Sequence, residues 1–320
     1  MNPFSALYEQ CNSGDPAEKY RDLPAFPRII DVELTSACNY SCLFCPTGLH
    51  ALTRKSGLMS VVTWRRLVDE CEQHGTALRI IGWGEGLLHK DAVSFIAYAS
   101  DAGLLTHLNS NASKITPLLA EQLVDAGLSS IKMSFQGVDR ETYAEARQVD
   151  FFEGMIRAIK MMSDARGHRT LPFIAASTSI TNETPEMVEA FRARLEPLVD
   201  QLSVGRTIFD FLDDAAARLK PKQRTLFDRA RALDSADKIH PDPCPEVYDK
   251  LSISWDGTAR VCCTDWDGIT DLGKIGQSSI QEMWRHTVIE AYRKRLAKKE
   301  YTGPLCSVCY DYQALSGAQQ

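Results

Sequence analysis

The stretch Arg28-Ile-Ile-Asp-Val-Glu-Leu-Thr35-Ser-Ala-Cys38-Asn-Tyr-Ser-Cys42-Leu-Phe-Cys45-Pro46 decides how the chain is read. Its first half is an apolar run of the kind a buried strand uses. Its second half sets three cysteines at C-x3-C-x2-C spacing in the loop that follows. Three thiolates so close together wrap one face of a compact metal centre and leave one position open. A closed zinc site wants a fourth ligand, and His50 is the residue that could supply it.

Working outward, residues 28–209 alternate strands with helices. Short apolar runs at 28–35, 78–83, 104–109, 130–135, 173–180 and 202–208 read as buried parallel strands. Between them, 61–74, 91–102, 117–126, 152–166 and 185–199 repeat apolar residues every three or four positions. Gly75, Gly103, Gly127 and Gly167 stand where a helix ends on a left-handed residue. Thr116-Pro117 and Thr184-Pro185 read as an N-cap followed by proline. Six βα units give an α/β fold with right-handed crossovers, either a partial (β/α)6 barrel or a doubly wound sheet. Either form binds ligands at the C-terminal strand ends. Residues 1–27 form an N-terminal extension, 28–210 the barrel and 211–240 a helical connector. Residues 241–320 form a small α+β domain with a hairpin turning at Asp256-Gly257 and a helix over 280–296.

The 320 residues are 44% hydrophobic and 24% charged, an ordinary globular mixture. The net charge of −6 argues against a nucleic-acid partner. No apolar run reaches membrane-span length. The polar start, Met1 to Lys19, does not read as a secretory leader. Ten cysteines in two groups, none between Cys71 and Cys244, fit reduced ligands in the cytoplasm better than disulfides. Cys11 and Cys71 read as small core residues. The second group runs Cys244-x12-Gly257-x4-Cys262, then Cys306-x2-Cys309. By count, four thiolates suit a tetrahedral zinc or an iron–sulfur cubane.

The triplet, placed after strand one, resembles the radical S-adenosylmethionine (SAM) superfamily. The resemblance implies that Cys38, Cys42 and Cys45 hold a [4Fe-4S] cluster whose fourth iron chelates SAM. Reductive cleavage of SAM would then give a 5′-deoxyadenosyl radical that abstracts hydrogen. Phe44 matches the aromatic that packs on adenine. Gly82-Trp-Gly84-Glu85 resembles the family's G-G-E and implies contact with the SAM amino group. Ser110-Asn111-Ala112 resembles T-N-G, with alanine for glycine. Ser134-Phe-Gln136-Gly137, followed by Tyr143 and Arg147, resembles S-x-D-G…Y…R, which implies Ser134, Gln136 and Arg147 near the SAM carboxylate or ribose.

The second group resembles the shortened SPASM, or twitch, auxiliary domain. It implies Cys244, Cys262, Cys306 and Cys309 around a second [4Fe-4S] cluster, although Cys263 adjoins Cys262 and competes for the place. The architecture resembles twitch enzymes of aminocyclitol and aminoglycoside metabolism, such as 2-deoxy-scyllo-inosamine dehydrogenase and the aminoglycoside epimerases. They imply an alcohol dehydrogenase acting on a small polar substrate, or an epimerase with Cys263 as hydrogen donor. Flavodoxin or ferredoxin would be the reductant. Peptide modification and a metal-scaffold protein are the alternatives.

Overall fold

The computed structural model describes residues 1–217, 219–233 and 239–310, so part of the expected connector and the tail after Tyr310 lie outside the described residues. Two short helices open the chain, α1 (Ser5–Asn12) and α2 (Pro16–Arg21). Six strands follow: β1 (Ile29–Val32), β2 (Ala77–Ile80), β3 (Thr106–Ser110), β4 (Ser130–Ser134), β5 (Phe173–Ile180) and β6 (Gln201–Arg206). They pair in parallel in chain order. The helices between them are α3 (Val61–Glu72), α4 (Ala92–Asp101), α5 (Pro117–Asp125), α6 (Arg140–Arg147), α7 (Phe152–Arg166) and α8 (Pro185–Leu195).

The starts and stops follow from single residues. Thr116 and Thr184 accept the amides of Leu119 and Met187, with proline next in line. Gly75, Gly103, Gly127 and Gly167 take φ between 57° and 76°, as helix-ending glycines should. Each helix buries one apolar stripe: Trp64, Leu67, Val68 and Cys71 on α3, and Met155, Ala158, Ile159 and Met162 on α7. These pack with Ile30, Val32, Leu78, Ile80, Leu108, Ile131, Met133 and Ile174, the outward residues of the strands.

The inward residues are polar. Asp31 and Glu33, Arg79, His107 and Asn109, and Lys132 and Ser134 alternate with that apolar set. The N-terminal extension helps to close the lower end of this interior. Phe4 and Cys11 pack on Ile29 and Ala77, with the Phe4 ring 5.7 Å from the His107 ring.

The C-terminal part carries the expected hairpin, and its first strand extends the barrel sheet. Strand β7 (Lys250–Ile253) pairs in parallel with β1, and β8 (Ala259–Arg260) pairs back on β7. One sheet therefore runs β6-β5-β4-β3-β2-β1-β7-β8. Three further helices, α9 (Asp213–Ala216), α10 (Pro221–Ala232) and α11 (Pro245–Tyr248), precede the place of the expected helix over 280–296, which is two, α12 (Ile280–Trp284) and α13 (Thr287–Leu296). His286 caps α13 through Nδ1, and buried Arg293 takes the Trp284 carbonyl at 2.7 Å. The connector folds over the barrel mouth, where Phe227 packs with Phe209, Leu212, Leu43 and Trp266.

Candidate active site at the barrel mouth

The cysteine loop leaves the top of β1 and is held by close backbone packing. A Cβ on Gly84 would sit 2.0 Å from the Thr35 carbonyl oxygen, and one on Gly48 would sit 2.4 Å from the Cys42 backbone. Only glycine lets these segments approach. Cys38, Cys42 and Cys45 line a cavity of about 230 Å³ with Phe44, Gly84, Glu85, Asn111, Ser134 and Arg147. Burial and neighbouring Cys42 push the Cys45 thiol up to about 12.

Arg147, in the last turn of α6, is buried. Its Nη1 reaches the Cys42 sulfur at 3.6 Å, and its guanidinium lies 5.1 Å over the Phe44 ring. Nη2 donates to the carbonyls of Ser134 and Phe135, while Nε is buried without a partner. Among the described residues no carboxylate pairs with this cation. A buried guanidinium needs a counter-charge, and the Cys42 sulfur and the Glu85 carboxyl are groups within its electrostatic reach.

Glu85 is buried, and burial raises its pKa. Its oxygens accept from Ser110 Oγ (2.8 Å), the Asn111 amide (2.8 Å) and the Leu87 amide (3.2 Å). It therefore ties the ends of β2 and β3 together and keeps little acceptor capacity for a ligand ammonium. The Asn111 amide group donates to Asn39 Oδ1 at 3.0 Å and faces the Cys38 sulfur at 3.9 Å. It fastens the cysteine loop to the loop after β3. Ala112, standing for glycine, keeps the left-handed backbone at φ 58°, a conformation that costs a non-glycine residue about 1–2 kcal/mol. Gln136 is buried and donates to Thr207 Oγ1, joining the ends of β4 and β6. It lines a second cavity of about 180 Å³ that shares Phe44 with the first.

Cys244 lies within electrostatic reach of Cys306 and Cys309, and Cys262 within reach of Cys244 and Cys309. Cys244 is pushed up by burial, and Cys309 and Cys306 add to the rise. Cys262 is pushed up by burial, with Cys263, Glu246, Cys244 and Cys309 adding to it. The Cys263 sulfur lies within 4.8 Å of carboxylate oxygens of Asp31 and Glu246, with Cys309 also in electrostatic reach. Among the described residues no three cysteine sulfurs lie within 4.8 Å of one another. Four thiolates on one zinc ion at about 2.3 Å would lie about 3.8 Å apart. His50 has a positive φ of 54° and joins no such group either. Sets of three and four cysteine thiols are the donor chemistry of iron–sulfur centres.

Residues 32–195 match the family model of the radical SAM superfamily. The chain belongs to the radical SAM superfamily. Residues 244–310 match the SPASM iron–sulfur cluster-binding domain. AdoMet-dependent heme synthase of Methanosarcina barkeri is 28% identical over 53% of this chain, and the match spans about half, 48%, of that relative. The heme synthase of Nitratidesulfovibrio vulgaris is 23% identical over 91% of this chain and 87% of its own. Among solved structures, BtrN in complex with AdoMet and 2-DOIA matches at TM-score 0.56 and 16% identity, covering 89% of this chain and 93% of BtrN. Streptococcus suis SuiB bound to precursor peptide SuiA matches at TM-score 0.65 and 15% identity, over 86% and 68%. These likenesses show the fold of this radical SAM protein.

The structure also brings in residues that no motif had singled out. Arg54 grips both oxygens of Glu33 at 2.6 Å and bonds the Trp266 carbonyl at 2.6 Å. Asp267 accepts the Thr53 amide at 2.5 Å. Together they strap the loop after the triplet to the auxiliary segment, and Trp83 Nε1 adds a bond to the Cys263 carbonyl at 2.8 Å. The one signal in the sequence is an acid at an inward position of β1. No helix of the described residues is long and apolar enough to cross a membrane.

Proposed function

We propose that the chain oxidises an alcohol to a ketone on a small polar substrate, a sugar, aminocyclitol or aminoglycoside, bound inside the barrel. Cys38, Cys42 and Cys45 would hold a [4Fe-4S] cluster with an open iron for SAM, and Cys244, Cys262, Cys306 and Cys309 a second cluster. When bound, these groups supply a hydrogen-abstracting radical on one side and a one-electron acceptor on the other, the pair such an oxidation needs. The observation that carries the reading is the buried Arg147 guanidinium, set on the Cys42 sulfur and the Phe44 ring with Nε unused. A cation so placed can orient an anionic group of SAM at the mouth while Phe44 offers a face to an adenine.

Glu85 and Asn111 then act by position, fixing the loops that carry the cysteines. The Arg54 strap and the Phe211, Trp266 and Trp83 side chains cover the mouth and limit water. A low-potential flavodoxin or ferredoxin in the cytoplasm would supply the electron. Anaerobic incubation with SAM, dithionite and a panel of aminocyclitols and aminosugars tests the reading. A ketone product matched by 5′-deoxyadenosine is expected, and SAM cleavage that no panel member stimulates would count against the substrate class.

The placement of Cys263 favours a second reading, redox-neutral epimerisation. Its thiol faces the interior beside Asp31 and Glu246 and is exposed there. If it returns hydrogen to the substrate, Cys263→Ala abolishes inversion. If the enzyme is a dehydrogenase, the ketone still forms.

A further inference from the structure

Below the cysteine loops the interior holds three cations, Arg79 on β2, Lys132 on β4 and Lys250 on β7. Two have partners. Arg79 takes both oxygens of Asp31 at 2.6 Å, and Lys250 Nζ meets Glu246 Oε1 at 2.8 Å. His107 adds no charge. Burial beside Lys132 and Arg79 lowers its pKa to about 3, and its ring nitrogens are engaged by Ser130 and Asn109 at 2.8 Å.

The Lys132 ammonium has neither a hydrogen bond nor an ion pair among the described residues. It lies in register with Asn109 on one side and Ala175 on the other, facing the interior within electrostatic reach of Arg79, Asp31 and Lys250. Asn109, and Ser134 two residues further along β4, line the cavity that holds Cys38, Cys42 and Glu85. Lys132 therefore sits one layer below the proposed SAM site. Burial and nearby Arg79 lower its pKa to about 8. With Asp31 and Glu246 already paired, the interior keeps one positive charge that nothing among the described residues balances. Two acceptors on the β7 side are also unused, Glu246 Oε2 and Ser252 Oγ, both buried. Ser252 lies in register with Asp31.

We infer that Lys132 anchors the substrate and that the substrate is a small polar molecule carrying an anionic group, a carboxylate or a phosphate, with hydroxyl or amino donors for Glu246 and Ser252. A half-buried cation without a counter-ion has lost part of its hydration, and a ligand anion offsets that loss. This rests on the reading of the barrel as the substrate chamber of a radical enzyme, and it narrows the proposed class to those sugars and aminosugars that also carry a carboxylate or phosphate.

The test uses reconstituted holoenzyme with SAM bound, titrated calorimetrically with gluconate, glucitol 6-phosphate and neutral glucitol. At least one anion should bind tenfold or more tighter than glucitol, and the tighter of the two distinguishes carboxylate from phosphate. Lys132→Met should remove the preference and Lys132→Arg should retain most of it, with iron content reporting whether each variant folds. Equal binding of all three probes by the wild type, before any variant is made, would overturn the inference. So would a preference that survives Lys132→Met, or a loss of SAM affinity in its place. SAM cleavage by the wild type without a probe reports separately on the radical reading, so the two can fail independently.

Discussion

Replacing Arg54 by methionine removes the guanidinium that ties the cysteine loop to the auxiliary segment. Both of its Nη atoms lie 2.6 Å from Glu33, and the two side chains are only 12% and 7% exposed. Methionine fills much of the stem volume but strands a buried carboxylate, whose one remaining donor is the Trp83 amide at 3.1 Å. Removing one partner of a buried pair costs about 3–5 kcal/mol. Losing the bond to the Trp266 carbonyl adds about 1 kcal/mol. Equilibrium urea unfolding under anaerobic conditions, followed by tryptophan fluorescence and circular dichroism together, measures the loss. Adding Glu33→Gln to Arg54→Met should recover about 2 kcal/mol, because the stranded charge is gone. A loss below about 1 kcal/mol, the range of exposed pairs, would refute the reasoning.

Gly84→Ala drives a methyl against the Thr35 carbonyl and should cost about 2 kcal/mol or more, with iron lost from the first site. Gly75→Ala, where a Cβ meets nothing within 4 Å but φ is 62°, should cost only about 1 kcal/mol, and equal losses would undo the contrast. The unfolded chain protonates a histidine near pH 6.5, but His107 in the fold protonates only near pH 3. Its share of stability is full above pH 6.5 and is lost as pH falls through that window, by up to several kcal/mol. His107→Gln should flatten the acid limb of a stability–pH curve, and an unchanged limb would show that the acid loss comes from elsewhere. Changing Cys38, Cys42 and Cys45 together to alanine should leave about four irons per chain and abolish SAM cleavage, whereas full iron content would place the cluster elsewhere.

The strands and helices were readable because caps, glycines and apolar spacing agree at each boundary, as at Thr116-Pro117 and Gly127. The cysteine loop was readable because its spacing is local. The interior was not. Asp31, Arg79, His107 and Lys132 each looked like one polar residue in an apolar run, and only closure of the sheet brings them together. The Arg54–Glu33 pair spans a loop of no regular pattern. The tail read as a separate hairpin because nothing local says that Lys250–Ile253 pairs with Ile29–Val32. The motif positions of Glu85, Asn111 and Gln136 were visible, but their engagement with Ser110, Asn39 and Thr207 depends on loops meeting across the mouth.

The most direct test of the account is an anaerobic one: iron and sulfide analysis of the reconstituted protein, with electron paramagnetic resonance of the dithionite-reduced state before and after SAM. The account predicts about eight irons per chain and a cluster signal that SAM shifts, with 5′-deoxyadenosine formed. About four irons with one zinc would contradict the second cluster, and a signal that SAM leaves unmoved would contradict the open site beside Arg147.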